Sequence, residues 1–486
     1  LTAGVIAGAD PLPLAVLTAF ATLVAFQFGV LTQWHVLLGV VVAIILFVPI
    51  RRYGLAADLP FDLELYRIGV ALLVALWLSA LLIDPEVRLR GTPVDGPLIL
   101  FAFAVLGSIV TGTGLIERLG LASNVLKDVL FLASFYLVFY LIASVVRGRG
   151  AIDAVIKTLV AGGAAIAVFS LIEARAGYNV FDQLERIFPF LSFQGGLDEE
   201  GIARGVRLRV YASAEHPIAL AAVLAMLLPL ALYLGRSTGR LRWWIAGGVM
   251  TVAVFATVSR TGIVMLGVVT LLLLKLRPSD VKPLFPLVAP VFVVIFLLLP
   301  GTFGTFRATF FPAQGFVADQ QVGAGRLSSE RLGPQFEIIR NHPVFGQGYG
   351  TRITTGNRYA CGEGLETCPN AKILDNEWLG TTVETGIVGL VAWLWFFIRF
   401  VRRTGREAAS DPTSRGLLLA CIASAVAAFA VSMLTLDGFS FIQATFVLFI
   451  LAGLGMSILR SDDWPSDPRG PERGASRFRS SPSEAS

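Results

Sequence analysis

The feature that most constrains this chain is a repeated run of about 17 to 23 apolar residues, cut by short connections rich in Arg, Gly and Pro. In lipid only a helix satisfies its own backbone hydrogen bonds, so these runs cannot be open strands. Of the 486 residues 55% are hydrophobic and 15% charged, well below the charge of a soluble domain. The expected fold is an all-α integral membrane bundle of about 12–13 transmembrane helices.

The runs place spans near 11–30, 34–50, 66–83, 97–110, 128–146, 152–173, 216–235, 243–258, 261–277, 284–300, 378–401, 415–435 and 439–459. The first pair reads either as one hairpin or as a re-entrant piece plus a span. Five regions are expected: N-terminal helices 1–173, central helices 174–300 carrying two arginine motifs, a loop domain 301–377, C-terminal helices 378–460 and a disordered tail 461–486 rich in Ser, Pro, Arg and Asp. The chain opens at Leu1, so a few native residues are expected to precede it, and no cleavable signal peptide is evident.

The net charge of +5 is not a nucleic-acid signal, because most basic residues sit beside spans. Arg88 and Arg90, Arg147 and Arg149, Arg236, Arg240 and Arg242, Lys275, Arg277 and Lys282, and Arg402, Arg403, Arg406 and Arg415 recur in alternate connections. The positive-inside rule puts these in the cytoplasm. The connections 111–127, 174–215, 259–261 and 301–377 then face outward, the last lying between the tenth and eleventh spans. Arg51 and Arg52 break the pattern, since the same alternation puts them outside.

The outward connections carry the chemistry. Arg209 lies in RLRVYASAEHPIALA and Arg260 in the SRTG turn. Each either snorkels at the interface or faces a shared cavity and binds a diphosphate, for which the planar guanidinium fork is suited. Arg326 and Arg331 are further anion ligands or a solvated helix face. Phe336, Ile339 and Arg340, with Glu330 and Arg331, predict a short amphipathic helix ending near Asn341. Pro343 stops it, and Gly346, Gly348 and Gly350 predict a tight, flexible turn.

Asp375 stands with Asn376 and Glu377 where the long loop meets a span. It is either an N-cap or a general base toward an attacking sugar hydroxyl. Glu384, two turns on, is a weaker candidate that would otherwise pair with an arginine. Glu215 and His216 are possible supporting groups, with His216 more often structural before Pro217; His342 reads as structural. No spacing resembles a metal site. Cys361 and Cys368 would bridge if their loop is extracytoplasmic, and Cys421 reads as a packed small residue.

In this order the motifs resemble the O-antigen ligase and Wzy-type polysaccharide polymerase superfamily: an outward Arg before HP, an SRTG turn, a long loop with HPVFGQGYG, then DNEWLGTTVETGIVGL. The resemblance covers about residues 205 to 460. It implies a bacterial inner-membrane, multi-pass glycosyltransferase, similar in outline to other GT-C transferases, with its site on the extracytoplasmic face. Such enzymes move glycan from undecaprenyl diphosphate to an acceptor without cofactor or metal, and single displacement implies inversion. Arg209 and Arg260 would hold the diphosphate, with Arg331 assisting, and Asp375 would be the base. Lipopolysaccharide ligases carry His-Asn where this chain has Asp375-Asn376, so the acceptor stays open. A polymerase would use the same site with a second lipid-linked glycan as acceptor. A flippase would call for ionisable groups deep in the spans and a repeated bundle, and a non-catalytic polysaccharide binder would be indifferent to loss of Asp375.

Overall fold

The computed structural model describes residues 33–55, 64–85, 87–196, 203–204, 207–310, 329–352, 374–461 and 464. The predicted span 11–30, Arg326, Cys361 and Cys368 lie outside them, as does nearly all of the tail.

Every other predicted span is helical. The helices are α1 (Trp34–Phe47), α2 (Leu65–Ile83), α3 (Asp95–Arg118), α4 (Ala122–Val145), α5 (Gly148–Ala176), α6 (Pro217–Thr238), α7 (Leu241–Ala256) and α8 (Arg260–Leu276). They continue with α9 (Val288–Leu298), α10 (Thr302–Phe310), α11 (Ser329–Asn341), α12 (Glu377–Ser410), α13 (Ser414–Ser432) and α14 (Ile442–Leu459). Among the described residues, nine helices are long and apolar enough to cross a membrane, the ninth being the composite Pro278–Leu298 that ends in α9. The chain is a multi-pass membrane protein. Helices α1 and α7 are apolar but shorter.

Burial sorts the helices into layers. Of the most apolar window of each helix, 94% is buried in α6 and in α14, against 11% in Pro278–Leu298. A helix that is apolar all round and covered on every side is a core helix, whereas one that shows its apolar residues is a lipid-facing helix. Thus α6 and α14 form the centre with α13. Helices α7, α8 and α5 pack around α6, while α4 packs on α14 and α3 on α12. Cys421 on α13 is fully buried in this core, as a packed small residue should be.

Two features differ from expectation. The connection 111–127 is mostly helix: α3 runs to Arg118, a left-handed Gly120 turns the chain, and α4 starts at Ala122. The apolar run alone understated α3 because its last two turns carry Thr111, Thr113 and Glu117. The second concerns Arg51 and Arg52, whose charges are spent inside the protein. Arg52 is 4% exposed and pairs with Asp182 at 2.7 Å, and Arg51 lies 3.4 Å from Glu215. A paired, buried arginine says nothing about which side of the membrane it faces, so the conflict with the positive-inside pattern disappears.

Short pieces cap one end of the bundle. Strand β1 (Tyr53–Leu55) pairs antiparallel with β2 (Leu191–Phe193), Tyr53 opposite Phe193, and β3 (Ala203–Arg204) pairs with β4 (Arg207–Leu208). The C-terminal ends of α1, α3, α5, α7 and α13 meet the N-terminal ends of α2, α4, α6, α8, α12 and α14 here. The other arginine-rich connections lie at the opposite end.

Candidate active site at the capped end

The residues before α6 form a strap pinned from several elements. Both carboxylate oxygens of Glu173, near the end of α5, accept backbone N–H bonds, from Tyr211 at 3.2 Å and Ala212 at 2.8 Å. Arg52 donates to the carbonyls of Ala212 and Ala214 and lies 4.7 Å over the Tyr211 ring. Asn179 donates to the same Ala212 carbonyl at 3.0 Å. Burial pulls the Arg52 guanidinium below its ordinary value, and Asp182 opposes that. The strap delivers Arg209, itself 6% exposed, whose Nε donates to the Thr257 carbonyl at 3.0 Å.

Thr257 begins the turn that leads to Arg260. Ser259 caps α8 by accepting from Gly262 N–H, and Arg260 is the first helical residue, half-buried. Thr261 hydrogen-bonds Thr435 at 2.8 Å, across the connection from α13 to α14. That connection also receives the start of α12, because Glu377 N–H is shared between the Met433 carbonyl at 2.8 Å and the Leu436 carbonyl at 3.1 Å. Asp375 stands two residues earlier. A continuous path of contacts therefore joins Arg209, Arg260 and Asp375 at one end of the bundle.

The cap at α12 falls on Asn376, whose side chain accepts from Leu379 N–H at 3.1 Å. Asp375 is the residue before, half-buried and in a left-handed conformation with φ of 50°. The described non-glycine residues with positive φ are Arg51 (65°), Ala212 (45°), Val258 (48°) and Asp375 (50°). All four lie at this end, beside Glu215, Arg209, Arg260 and the start of α12. Left-handed backbone costs about 1–3 kcal/mol at such residues, most clearly at a β-branched valine, and it collects at functional sites.

The HPVFGQGYG segment is pinned to α12 by backbone hydrogen bonds. Helix α12 breaks at Gly386, with φ of 65° and ψ of −164°, and the segment threads the break. Gln347 N–H donates to the Val383 carbonyl at 2.8 Å and Gly348 N–H to that of Glu384 at 3.3 Å. In return, Ile387 N–H donates to the Pro343 carbonyl at 3.0 Å and Val388 N–H to that of Val344 at 3.4 Å. A break at membrane depth is tolerable only when the freed backbone groups find such partners. Space for it comes from glycine: a Cβ on Gly386 would lie 2.2 Å from the Val344 oxygen, and one on Gly346 2.4 Å from the Glu384 carbonyl carbon.

The threaded segment ends on Arg352, a residue that none of the sequence motifs singles out. Its guanidinium is 3% exposed as a residue and reaches Asp437 at 2.8 Å, Glu377 at 3.0 Å and Glu384 at 3.6 Å. Burial pulls its pKa down, but the three carboxylates outweigh that and hold it above the ordinary range. Burial also pushes Asp437 up, with Arg352 opposing and the Asp375 charge adding to the rise. Glu384 accepts N–H bonds from Gly350 at 3.2 Å and Arg352 at 3.3 Å as well, so its role here is pairing with an arginine. The visible signal was Glu377 and Glu384, seven residues apart on one face of an apolar helix, with Asp437 alone between two apolar runs. Ionisable groups in such settings need a partner.

Residues 245–394 match the family model described as O-antigen ligase, Wzy_C. The matched segment starts in α7 and ends within α12, so it contains Arg260, Asp375, the threaded segment and Arg352, while Arg209 and Asp437 lie outside it. The family that this model describes is one of glycan-transferring enzymes with lipid-linked glycan substrates, and the similarity to it covers residues 245–394 of 486. No curated protein matches the chain.

The remaining candidates separate. His216 is the N-cap of α6, its Nδ1 accepting from Ile218 N–H at 3.2 Å. Glu215 is buried, pairs with Arg51, and accepts from Gln443 N–H at 3.2 Å; burial pushes its carboxyl up to about 7 against the pull of Arg51. Arg331 lies on α11, the predicted amphipathic helix, which ends at Asn341. His342 is exposed, and its carbonyl accepts from Gly346 N–H at 3.1 Å. Among the described residues no group of three His, Cys, Asp or Glu side chains is arranged to hold a metal ion.

Proposed function

We propose that this O-antigen ligase-like protein transfers a glycan from undecaprenyl diphosphate to an acceptor hydroxyl, at the capped end of the bundle and on the extracytoplasmic face of the bacterial inner membrane. The observation that supports the reading is that a path of contacts links Arg209, Arg260 and Asp375 at one end of the bundle, with left-handed backbone at Asp375 itself and at the nearby Ala212 and Val258. Asp375 takes the proton of the acceptor hydroxyl, whose oxygen attacks the anomeric carbon. The bond from that carbon to the diphosphate oxygen breaks with inversion, and undecaprenyl diphosphate leaves. Arg209 and Arg260, with Arg331 assisting, bind its charge where it develops. The step balances without metal or cofactor. A Wzy-type polymerase would run the same chemistry with a lipid-linked glycan as acceptor, and product length separates the two.

The test is release of undecaprenyl diphosphate by the chain in proteoliposomes containing a defined undecaprenyl-diphosphate oligosaccharide and a glycan acceptor. Release matched to product formation is expected. Movement of intact donor across the bilayer without release would replace transferase with flippase.

A further inference from the structure

Beyond its break at Gly386, helix α12 continues from Ile387 to Ser410, about 36 Å at the usual rise, against a hydrocarbon core of about 30 Å. Its last turns therefore emerge at the end opposite the candidate site. Ile387, Val391, Leu394, Trp395 and Ile398 are exposed and apolar, at spacings of three and four that form one lipid-facing stripe. The stripe runs into Arg399, Arg402, Arg403 and Arg406, all exposed. These arginines, with Trp395 and with Pro93 from the approach to α3, line a groove of about 560 Å³. Arg399 lies 5.6 Å over the Trp395 ring, and Gly96 on α3 leaves the space into which that indole fits, since a Cβ there would come within 2.9 Å of it.

Among the described residues, no carboxylate lines the groove. Glu407 lies beyond it, 3.7 Å from Arg403. Asp95, near Pro93, is engaged by Thr92 N–H at 2.6 Å and Tyr140 hydroxyl at 2.9 Å. Orienting a chain in the membrane needs only a count of basic residues. A concave set of guanidiniums below an apolar stripe, with an indole at their junction, is matched to a molecule having an anionic head and acyl tails.

We infer that this groove binds an anionic phospholipid of the surrounding bilayer, its phosphate among Arg399, Arg402 and Arg406 and its acyl chains along the stripe of α12. This surface is far from the transfer chemistry and stands whether or not that chemistry is as proposed.

The full chain in neutral detergent is titrated with phosphatidylglycerol or with phosphatidylcholine of the same acyl chains. Its thermal unfolding midpoint is followed, and retained lipid is counted by native mass spectrometry. Phosphatidylglycerol should raise the midpoint and be retained, and phosphatidylcholine should do neither. The exposed pair Arg402→Gln/Arg406→Gln should weaken the phosphatidylglycerol response by about tenfold or more. Arg242→Gln, at the same end but outside the groove, should leave it intact. An equal response to phosphatidylcholine, a full response in the double variant, or the same shift from inorganic phosphate alone would overturn the inference.

Discussion

At the scale of the residue, the account assigns different work to arginines that look alike in sequence. Arg52 and Arg352 are buried among carboxylates and carbonyls and hold the backbone in place. Arg260 is half-buried at a helix start and is assigned to the leaving diphosphate. Arg260→Lys keeps the charge and loses the fork. Under this assignment transfer should fall by about 100-fold while folding is unchanged, read as the initial rate of product formation against the thermal midpoint. Glu215 makes a pH prediction. Its ordinary value is 4.5 and burial raises it to about 7 in the folded chain. Between those values the folded protein keeps a proton that the unfolded chain releases. Its contribution to stability is thus full below about 4.5 and is lost as pH rises through about 7. Glu215→Gln, which copies the protonated form, should flatten the native fall in thermal midpoint between pH 5 and 7 by one proton's worth, about 1.4 kcal/mol per pH unit. An unchanged slope would remove Glu215 as its source.

At the scale of the element, the central device is the break in α12. By sequence GQGYG predicts a flexible turn, because glycines in a polar loop ordinarily form one. The reason those glycines are there is close packing, which a single sequence does not reveal. Gly346 packs against the Glu384 carbonyl, Gly348 N–H donates to that carbonyl and Gly350 N–H to the Glu384 carboxylate, all on a helix interrupted 36 to 40 residues further on, and such long-range contacts leave no local period to detect. Gly386→Ala should therefore do more than a helical glycine change. A side chain is excluded by the φ of 65° and by the Val344 oxygen, and a loss of about 2 kcal/mol or more in unfolding free energy is expected. Gly114→Ala, exposed on α3 with nothing within 4 Å of a Cβ, should be neutral or stabilising by up to about 1 kcal/mol in the same assay. Equal effects at the two positions would mean that the break does not hold the threaded segment.

At the scale of the molecule, the helices are legible because hydropathy is local: twelve predicted spans fall on twelve helices, with ends displaced by up to about two and a half turns at α3 and α12. The sharing of one end by Arg209, Arg260 and Asp375 was legible too, since helix alternation settles it. What stayed hidden was the buried scaffold of that end, Glu173 with Arg52 and Arg352 with Glu377, Glu384 and Asp437. Arg52 reaches the Ala212 and Ala214 carbonyls 160 and 162 residues away, and Arg352 reaches Asp437 85 residues away, which a list of charges does not specify. They make the capped end a rigid frame around the candidate base and guanidiniums, while the arginine-rich end is built from exposed charge suited to a lipid surface. The central claim is that Asp375 performs the proton transfer. It is tested most directly by the rate of glycan transfer from a defined undecaprenyl-diphosphate oligosaccharide by Asp375→Asn and native protein, both reconstituted and both shown to bind donor. The account predicts retained donor binding with transfer reduced by about 100-fold or more. Transfer at the native rate in Asp375→Asn would contradict it.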